Sequence, residues 1–136
     1  MKKFLIAVLI VVHLAASFWH GSLHKTLSVN LSSAQSLFVL TVIIIAPVVA
    51  GGLIWTRLHT IGLWLFSLSM LGAFLFGGFY HYILVSPDNI HFLPAGSPEA
   101  GHQFKLSAGV IALLELASAL FGVFCLGARS LRRANS

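Results

Sequence analysis

Four long apolar stretches, separated by short polar segments, are the feature that most constrains this chain. They cover about residues 4–22, 34–55, 61–84 and 106–127. The last three each hold about 20 residues, which is enough for a helix to cross about 30 Å of hydrocarbon. Only 8% of the residues are charged, whereas globular domains average about 25%. The sequence therefore predicts an all-α integral membrane protein with a bundle of four transmembrane helices, and it argues against a soluble enzyme.

The first stretch is the shortest and allows a second interpretation. Lys2 and Lys3 precede an apolar core that ends in Ala15-Ala16-Ser17, which also fits a secretory signal peptide with a small-residue cleavage site. We favour an uncleaved first helix, because an even number of spans agrees with the distribution of basic residues and an odd number does not.

The basic residues predict the orientation in the membrane. With both termini in the cytoplasm, six of the eight Lys and Arg side chains lie on the inner side, which is the usual bias. These six are Lys2, Lys3, Arg57, Arg129, Arg132 and Arg133, and only Lys25 and Lys105 lie outside. We therefore expect a multi-pass protein of a cell membrane, most simply a bacterial inner membrane, with the lipid bilayer around it and no nucleic acid partner.

The longest connection, residues 85–103, is predicted to be an ordered loop on the outer side. It holds three of the four prolines, and Ser86-Pro87-Asp88-Asn89 is typical of a β-turn with proline at its second position. Prolines and apolar residues favour order over disorder in a loop of this length. The whole chain, residues 1–136, is predicted to form one transmembrane domain.

Small residues predict which helix faces pack together. In lipid there is little hydrophobic driving force between helices, so they associate through close packing, which small side chains permit. The third stretch carries Ser69, Ala73 and Gly77 at a spacing of four. One face of the fourth stretch consists of small residues and a single acid: Ala108, Ala112, Glu115, Ala119 and Gly122. In the second stretch, Pro47 is expected to kink the helix, because proline removes a backbone donor.

Glu115 is a carboxylic acid near the middle of the fourth stretch. A charged side chain at that depth costs at least about 2.5–3.5 kcal/mol, so we expect it to face the bundle interior. At 1.5 Å per residue, His13 lies within about 5 Å of the same depth. The sequence thus predicts an intramembrane His13–Glu115 pair, which would also suit proton relay. The alternatives are a neutral Glu115 bonded to another helix and a His13 bonded to a backbone carbonyl.

Histidines are numerous, and five of the seven map to the outer side. Together with two acids of the long loop, they form the set of candidate ligands for a transition-metal ion or haem: His20, His24, His81, His91, His102, Asp88 and Glu99. Imidazole and carboxylate bind zinc, copper or iron, and two imidazoles can ligate haem iron. His13, His20 and His24 share one helical stripe, since their spacings are seven and four. Histidines that only reach the lipid headgroups are the alternative.

Catalytic motifs give no support to an enzyme, since the sequence has no nucleophile elbow and no phosphate-binding glycine loop. Three functions stay open. The first is a small redox or metal protein that binds a metal ion or haem through outer-face histidines. The second is a non-catalytic structural or assembly subunit, partnered by other membrane subunits or by a second copy. The third is a small proton-coupled transporter that uses Glu115 and His13.

Overall fold

Four helices make up most of the structure, a computed structural model that describes the backbone of residues 1–134 and the side chains of residues 1–128. The helices are α1 (Lys2–Thr26), α2 (Ser33–Ile54), α3 (His59–Ile83) and α4 (Pro98–Ala134). Each is long and apolar enough to cross a membrane, and no strand occurs among residues 1–134. The predicted helical class with four apolar helices is therefore confirmed. The side chains of Arg129, Arg132 and Arg133, which entered the charge argument, lie outside the described residues.

The four helices surround a common interior. α3 packs against α2 and α4, and α1 packs against α4, while α1 meets α2 mainly through the segment Ala46–Ile54. Lys2 Nζ lies 4.8 Å from the centre of the Phe124 ring, so α1 begins where α4 approaches its last described side chains. We call this the N-terminal end of the bundle and the opposite end, which carries residues 84–97, the loop end. Away from the N-terminal end, α1 and α2 diverge.

An apolar core fills the half of the bundle next to the N-terminal end. It comprises Ile6, Ile10, Ala50, Ile54, Leu63, Phe66, Met70, Ala119 and Cys125. Glycine lets two backbones come together here, since a Cβ added to Gly62 would stand 2.8 Å from the backbone nitrogen of Ile54 and 2.9 Å from the carbonyl oxygen of Ala50. The close approach of α2 and α3 therefore depends on a residue without a side chain.

Helix α2 widens locally beside Pro47, the residue at which the sequence predicts a kink. Pro47 lacks an N–H and its ring would clash with the carbonyl four residues earlier. The preceding segment Val39–Ile45 is π-helical, which gives the backbone a wider turn at this point. A second π-helical segment, Phe79–Ile83, ends α3.

Helix α4 begins at Pro98, eight residues before the predicted start at 106, so the loop is shorter than the predicted 85–103. The Ser97 hydroxyl accepts a hydrogen bond from the N–H of Ala100 at 3.3 Å, as an N-cap residue does. Proline suits the first helical position, and Glu99 suits the first turn because it faces the positive end of the helix dipole. These local signals extend the helix beyond the apolar stretch, whose start at 106 set the predicted boundary. Helix α1 is also longer than predicted, since it continues to Thr26 rather than ending near residue 22.

Substitution of Gly62 by alanine should destabilise the bundle by about 1–3 kcal/mol, because the new methyl group overlaps backbone atoms that cannot rotate away. The matched control is Gly52→Ala on α2, where an added Cβ meets nothing within 4 Å. Alanine is the better helix former, so the control should be neutral or slightly stabilising. Thermal unfolding of both variants in one detergent measures the difference. Equal melting temperatures would show that α2 and α3 are not in contact at Gly62.

Candidate metal centre

Three histidines from two helices meet inside the bundle near the loop end. His20 and His24 are four residues apart on α1 and therefore lie on one face. His81 belongs to the π-helical segment that ends α3, and its backbone carbonyl accepts a hydrogen bond from the N–H of Ile90 at 3.0 Å. The loop after α3 thus folds back onto the helix end that carries His81.

The Nε2 atoms of the three imidazoles converge on one point. Nε2 of His20 lies 3.2 Å from Nε2 of His81 and 3.2 Å from Nε2 of His24. The ligand atoms of the three residues all lie within 4.8 Å of one another. Two nitrogens on a tetrahedral zinc stand about 3.3–3.4 Å apart, given Zn–N bonds of about 2.0–2.1 Å. Two of the three separations already suit a shared ion. The third needs His24 to move closer to His81.

Hydrogen bonds on the far side of the rings assign the proton positions. The Ser107 hydroxyl donates to the carbonyl of Phe104, so it accepts from Nδ1–H of His20 at 2.8 Å. His81 donates its Nδ1–H to the carbonyl oxygen of Asp88 at 3.0 Å. In the neutral rings, the Nε2 lone pairs of His20 and His81 therefore face each other. Only a proton or a metal cation between them makes this contact favourable.

Asp88 completes the cluster from the loop. The predicted turn is present, since the N–H of Asn89 donates to the carbonyl of Ser86 at 3.0 Å. It brings Oδ1 of Asp88 to 3.2 Å from Nδ1 of His81 and 3.5 Å from Nε2 of His24. Burial acts to raise the pKa of the Asp88 carboxyl, but the close contact with the His81 ring and the neighbouring imidazoles of His24 and His20 outweigh burial and hold this pKa below its ordinary value. An ionised carboxylate beside the histidines favours a bound cation.

A buried aromatic ring packs against the cluster on its loop-end side. The fully buried Phe104 ring lies 4.5 Å from the His20 ring and 5.0 Å from the His24 ring, measured between ring centres. It packs with other buried residues of α1, the 27–32 connection and α4, namely Leu23, Leu27, Val29 and Ala100. Packing against Phe104 helps to hold the imidazoles of His20 and His24 in place, because dense packing restricts side-chain rotation.

The remaining candidate ligands lie apart from this cluster. His91, His102 and Glu99 are exposed, and the carboxylate of Glu99 accepts a hydrogen bond from Gln103 one helical turn away. The extension of α4 explains the position of His102, because a helical residue 102 lies on the surface face while Phe104 lies on the buried face. Of the seven predicted ligands, the structure brings together His20, His24, His81 and Asp88.

Ser107 and Phe104 contact the histidines but were not predicted. A signal for Ser107 exists in the sequence. It precedes Glu115 by eight residues, so both lie on the inward stripe of α4. Phe104 carries no comparable signal, since an aromatic residue next to an apolar stretch is common in membrane helices.

A cavity of about 400 Å³ extends from the histidine cluster into the bundle. Such a volume falls within the range of small-molecule sites, about 300–1,000 Å³. It lies where α1 and α2 diverge, and its walls include small residues of α3 and α4: Ala73, Gly77, Ala108 and Ala112. His20, His24, His81 and Asp88 line one end, and Glu115 lines the other.

Glu115 is 1% exposed and His13 is fully buried, and the two side chains are paired. Nε2 of His13 lies 3.1 Å from Oε1 of Glu115, and the Ser17 hydroxyl lies 3.5 Å from the same nitrogen. Among the residues that the structure describes, the second oxygen Oε2 of Glu115 has no hydrogen-bond partner. The pair links α1 to α4 below the cavity.

Known proteins were compared with the chain at three levels, and no family model, curated sequence or solved structure matches it significantly.

Replacement of Glu115 by leucine should destabilise the bundle by about 1–3 kcal/mol, because His13 then loses its carboxylate partner in an apolar interior. The double variant His13→Leu/Glu115→Leu should recover much of this loss, since it removes both polar groups. Glu99→Leu, which changes an exposed carboxylate, should shift stability by less than about 1 kcal/mol. Thermal unfolding in detergent measures these three variants and the single variant His13→Leu. Purely additive single and double effects would contradict an interaction between His13 and Glu115.

Proposed function

We propose that this chain is a multi-pass membrane protein that binds a transition-metal ion at the loop end of its bundle. Three observations support the proposal: the distribution of apolar side chains, the distribution of basic side chains, and the convergence of three imidazole nitrogens. The last of these carries the metal-binding function.

The distribution of side chains supports a lipid environment. Polar residues of the helices point inwards, among them the fully buried His13, Ser107 and Ser118. Large apolar side chains point outwards along the four helices, as in Leu37, Val48, Leu68, Leu75, Leu113, Leu120 and Phe124. In water this arrangement would expose a large apolar surface, whereas in hydrocarbon it satisfies both groups of residues.

Basic residues support an orientation with the N-terminal end in the cytoplasm. Lys2, Lys3 and the first residue of α3, His59, line one small pocket at that end together with Ala128 of α4. Lys and Arg are enriched on the cytoplasmic side of membrane proteins. Both termini then lie inside, and the candidate metal centre lies near the outer surface. A bacterial inner membrane is the simplest setting for it.

A reporter fused after Ser136 should therefore behave as a cytoplasmic marker, and one inserted after Ala95 in the exposed loop as an extracytoplasmic marker. The measurement is paired reporter activity, with alkaline phosphatase active outside and green fluorescent protein fluorescent inside. The reverse pattern, or identical behaviour at both positions, would contradict the proposed topology.

Metal binding is supported by the opposed lone pairs of His20 and His81, with His24 in reach of both. The Nδ1–H of His20 donates to the Ser107 hydroxyl and that of His81 donates to the carbonyl oxygen of Asp88, which is how histidines that ligate metals are commonly oriented. Without a metal, one added proton reconciles the lone pairs, so protons and metal compete for the site. Three imidazoles with a nearby carboxylate suit Zn²⁺ or Cu²⁺, and the cavity gives a fourth ligand room to bind.

The same geometry favours a bare ion over haem. The His20 and His81 rings stand 4.8 Å apart between centres at an angle of 81°. A haem held by two histidines needs the whole porphyrin plane between the nitrogens, and this edge-to-face contact leaves no space for it. The expected partners, other membrane subunits or a second copy, stay predictions.

Substitution of a ligand should abolish tight binding, whereas substitution of an exposed histidine should not. For the purified, untagged protein in detergent, we expect His20→Gln to weaken Zn²⁺ and Cu²⁺ binding by more than about 100-fold, since even supporting residues contribute about 10–100-fold. Ser107→Ala, which only orients His20, should weaken it by about tenfold. His102→Gln is the matched control and should bind as the unaltered protein does. The measurement is competition with a chromophoric chelator.

Equal affinities of the His20→Gln and His102→Gln variants would contradict the proposal, as would a protein that binds neither ion. Circular dichroism of each variant checks that a change in affinity does not arise from loss of the fold.

A further inference from the structure

The cavity has two ends of similar chemistry, and the outer site uses only one of them. Its outer end carries the three histidines and Asp88, and its floor carries Glu115 with the adjoining His13 and Ser17. Ser107, which bonds His20, precedes Glu115 by eight residues on α4, so the two ends are about 12 Å apart at 1.5 Å per residue.

The floor offers an imidazole nitrogen and a carboxylate as metal ligands, and one carboxylate oxygen has no hydrogen-bond partner among the described residues. Nε2 of His13 and Oε1 of Glu115 are 3.1 Å apart, close to the separation of two ligands on one zinc ion. Oε2 of Glu115 is buried without a partner among the described residues, in a side chain that lines the cavity. A buried carboxylate oxygen without a partner is unfavourable unless a proton or a cation approaches it.

The floor is reached from the outer end. Below it, the core residues Ile10, Phe66 and Met70 are buried, so apolar side chains separate the floor from the N-terminal end. Above it, the small side chains of Ala108 and Ala112 leave the cavity open towards the histidine cluster. An ion that reaches Glu115 therefore passes the outer histidines first.

We propose that the floor of the cavity is a second position for the same divalent transition-metal ion, held by Nε2 of His13 and the carboxylate of Glu115. The inference rests on the proposed function of the outer site, which it extends to an inward step from three histidines to a mid-membrane pair. The ion replaces the hydrogen shared by His13 and Glu115, and the released proton leaves through the cavity to the outer solution. Water or the Ser17 hydroxyl completes the coordination.

Electrostatics predicts the relative affinities of the two positions. With a divalent ion, the outer site has a net charge of +1 if Asp88 is counted, and the floor has +1 if Glu115 is counted. Two such charges about 12 Å apart repel enough, at an effective dielectric constant of about 20, to weaken the second binding event by about tenfold. The outer site offers three imidazoles with Asp88 nearby, whereas the floor offers one imidazole and one carboxylate, so the outer site is the tighter one and fills first.

The test is the stoichiometry of Zn²⁺ binding to the full chain in detergent, measured by equilibrium dialysis with elemental analysis. We expect two ions for the unaltered protein, the second bound about tenfold more weakly. Glu115→Gln keeps a hydrogen bond to His13 but offers no carboxylate, and it should bind one ion tightly. His20→Gln should keep one ion, at the floor, bound more tightly than the second ion of the unaltered protein because no outer ion repels it. Glu99→Gln removes an exposed carboxylate as the matched control and should bind two.

The outcomes separate the two proposals. One ion in the unaltered protein that persists in Glu115→Gln overturns the second position and leaves the outer site standing. Two ions in Glu115→Gln also overturn it. No bound ion in the unaltered protein overturns both proposals. If Glu115→Gln fails to fold by circular dichroism, His13→Gln tests the same position from α1, and retention of two ions there overturns it.

Discussion

The hydrogen bond between His13 and Glu115 joins α1 to α4 in the middle of the bundle, and the loop end is organised around the same contact. In an apolar environment each polar group needs a partner within the protein. Pairing with Glu115 turns the stripe of His13 towards α4, and His20 lies on that stripe two turns further on. His20 therefore meets Ser107, which orients its ring towards His81. The candidate metal centre thus depends on the rotational setting of α1 that the deeper pair imposes.

One small-residue face of α4 serves two purposes along its length. Near the N-terminal end, Gly122 lies so close to α3 that an added Cβ would overlap Ser67, which is the close packing that small residues permit. Towards the loop end, Ala108 and Ala112 line the cavity instead. The difference arises because α2 leaves α1 beyond the segment Ala46–Ile54, so no bulky side chain fills the space that the alanines provide.

The loop end shows where a pattern of residues along the chain misleads. His102 and His91 were as good candidates as His81, because all three map to the outer side. The N-cap at Ser97 extends α4 and leaves His102 exposed on its surface face, while the turn at Asn89 folds residue 88 back onto α3. The position of a helix boundary decides whether the residues near it follow the helical period of about 100° per residue, and boundaries are the least reliable part of a prediction.

The sequence by itself determined the number of helices, their apolar character and the inward orientation of Glu115. These are local properties, since the length of an apolar segment and the cost of a carboxyl in hydrocarbon need no knowledge of neighbours. Only the tertiary structure decided which histidines meet. His20 and His81 are 61 residues apart, and their contact depends on the diagonal distance across the bundle, the π-helical end of α3 and the fold of the loop. Each of these arises from packing between segments, which no single segment encodes.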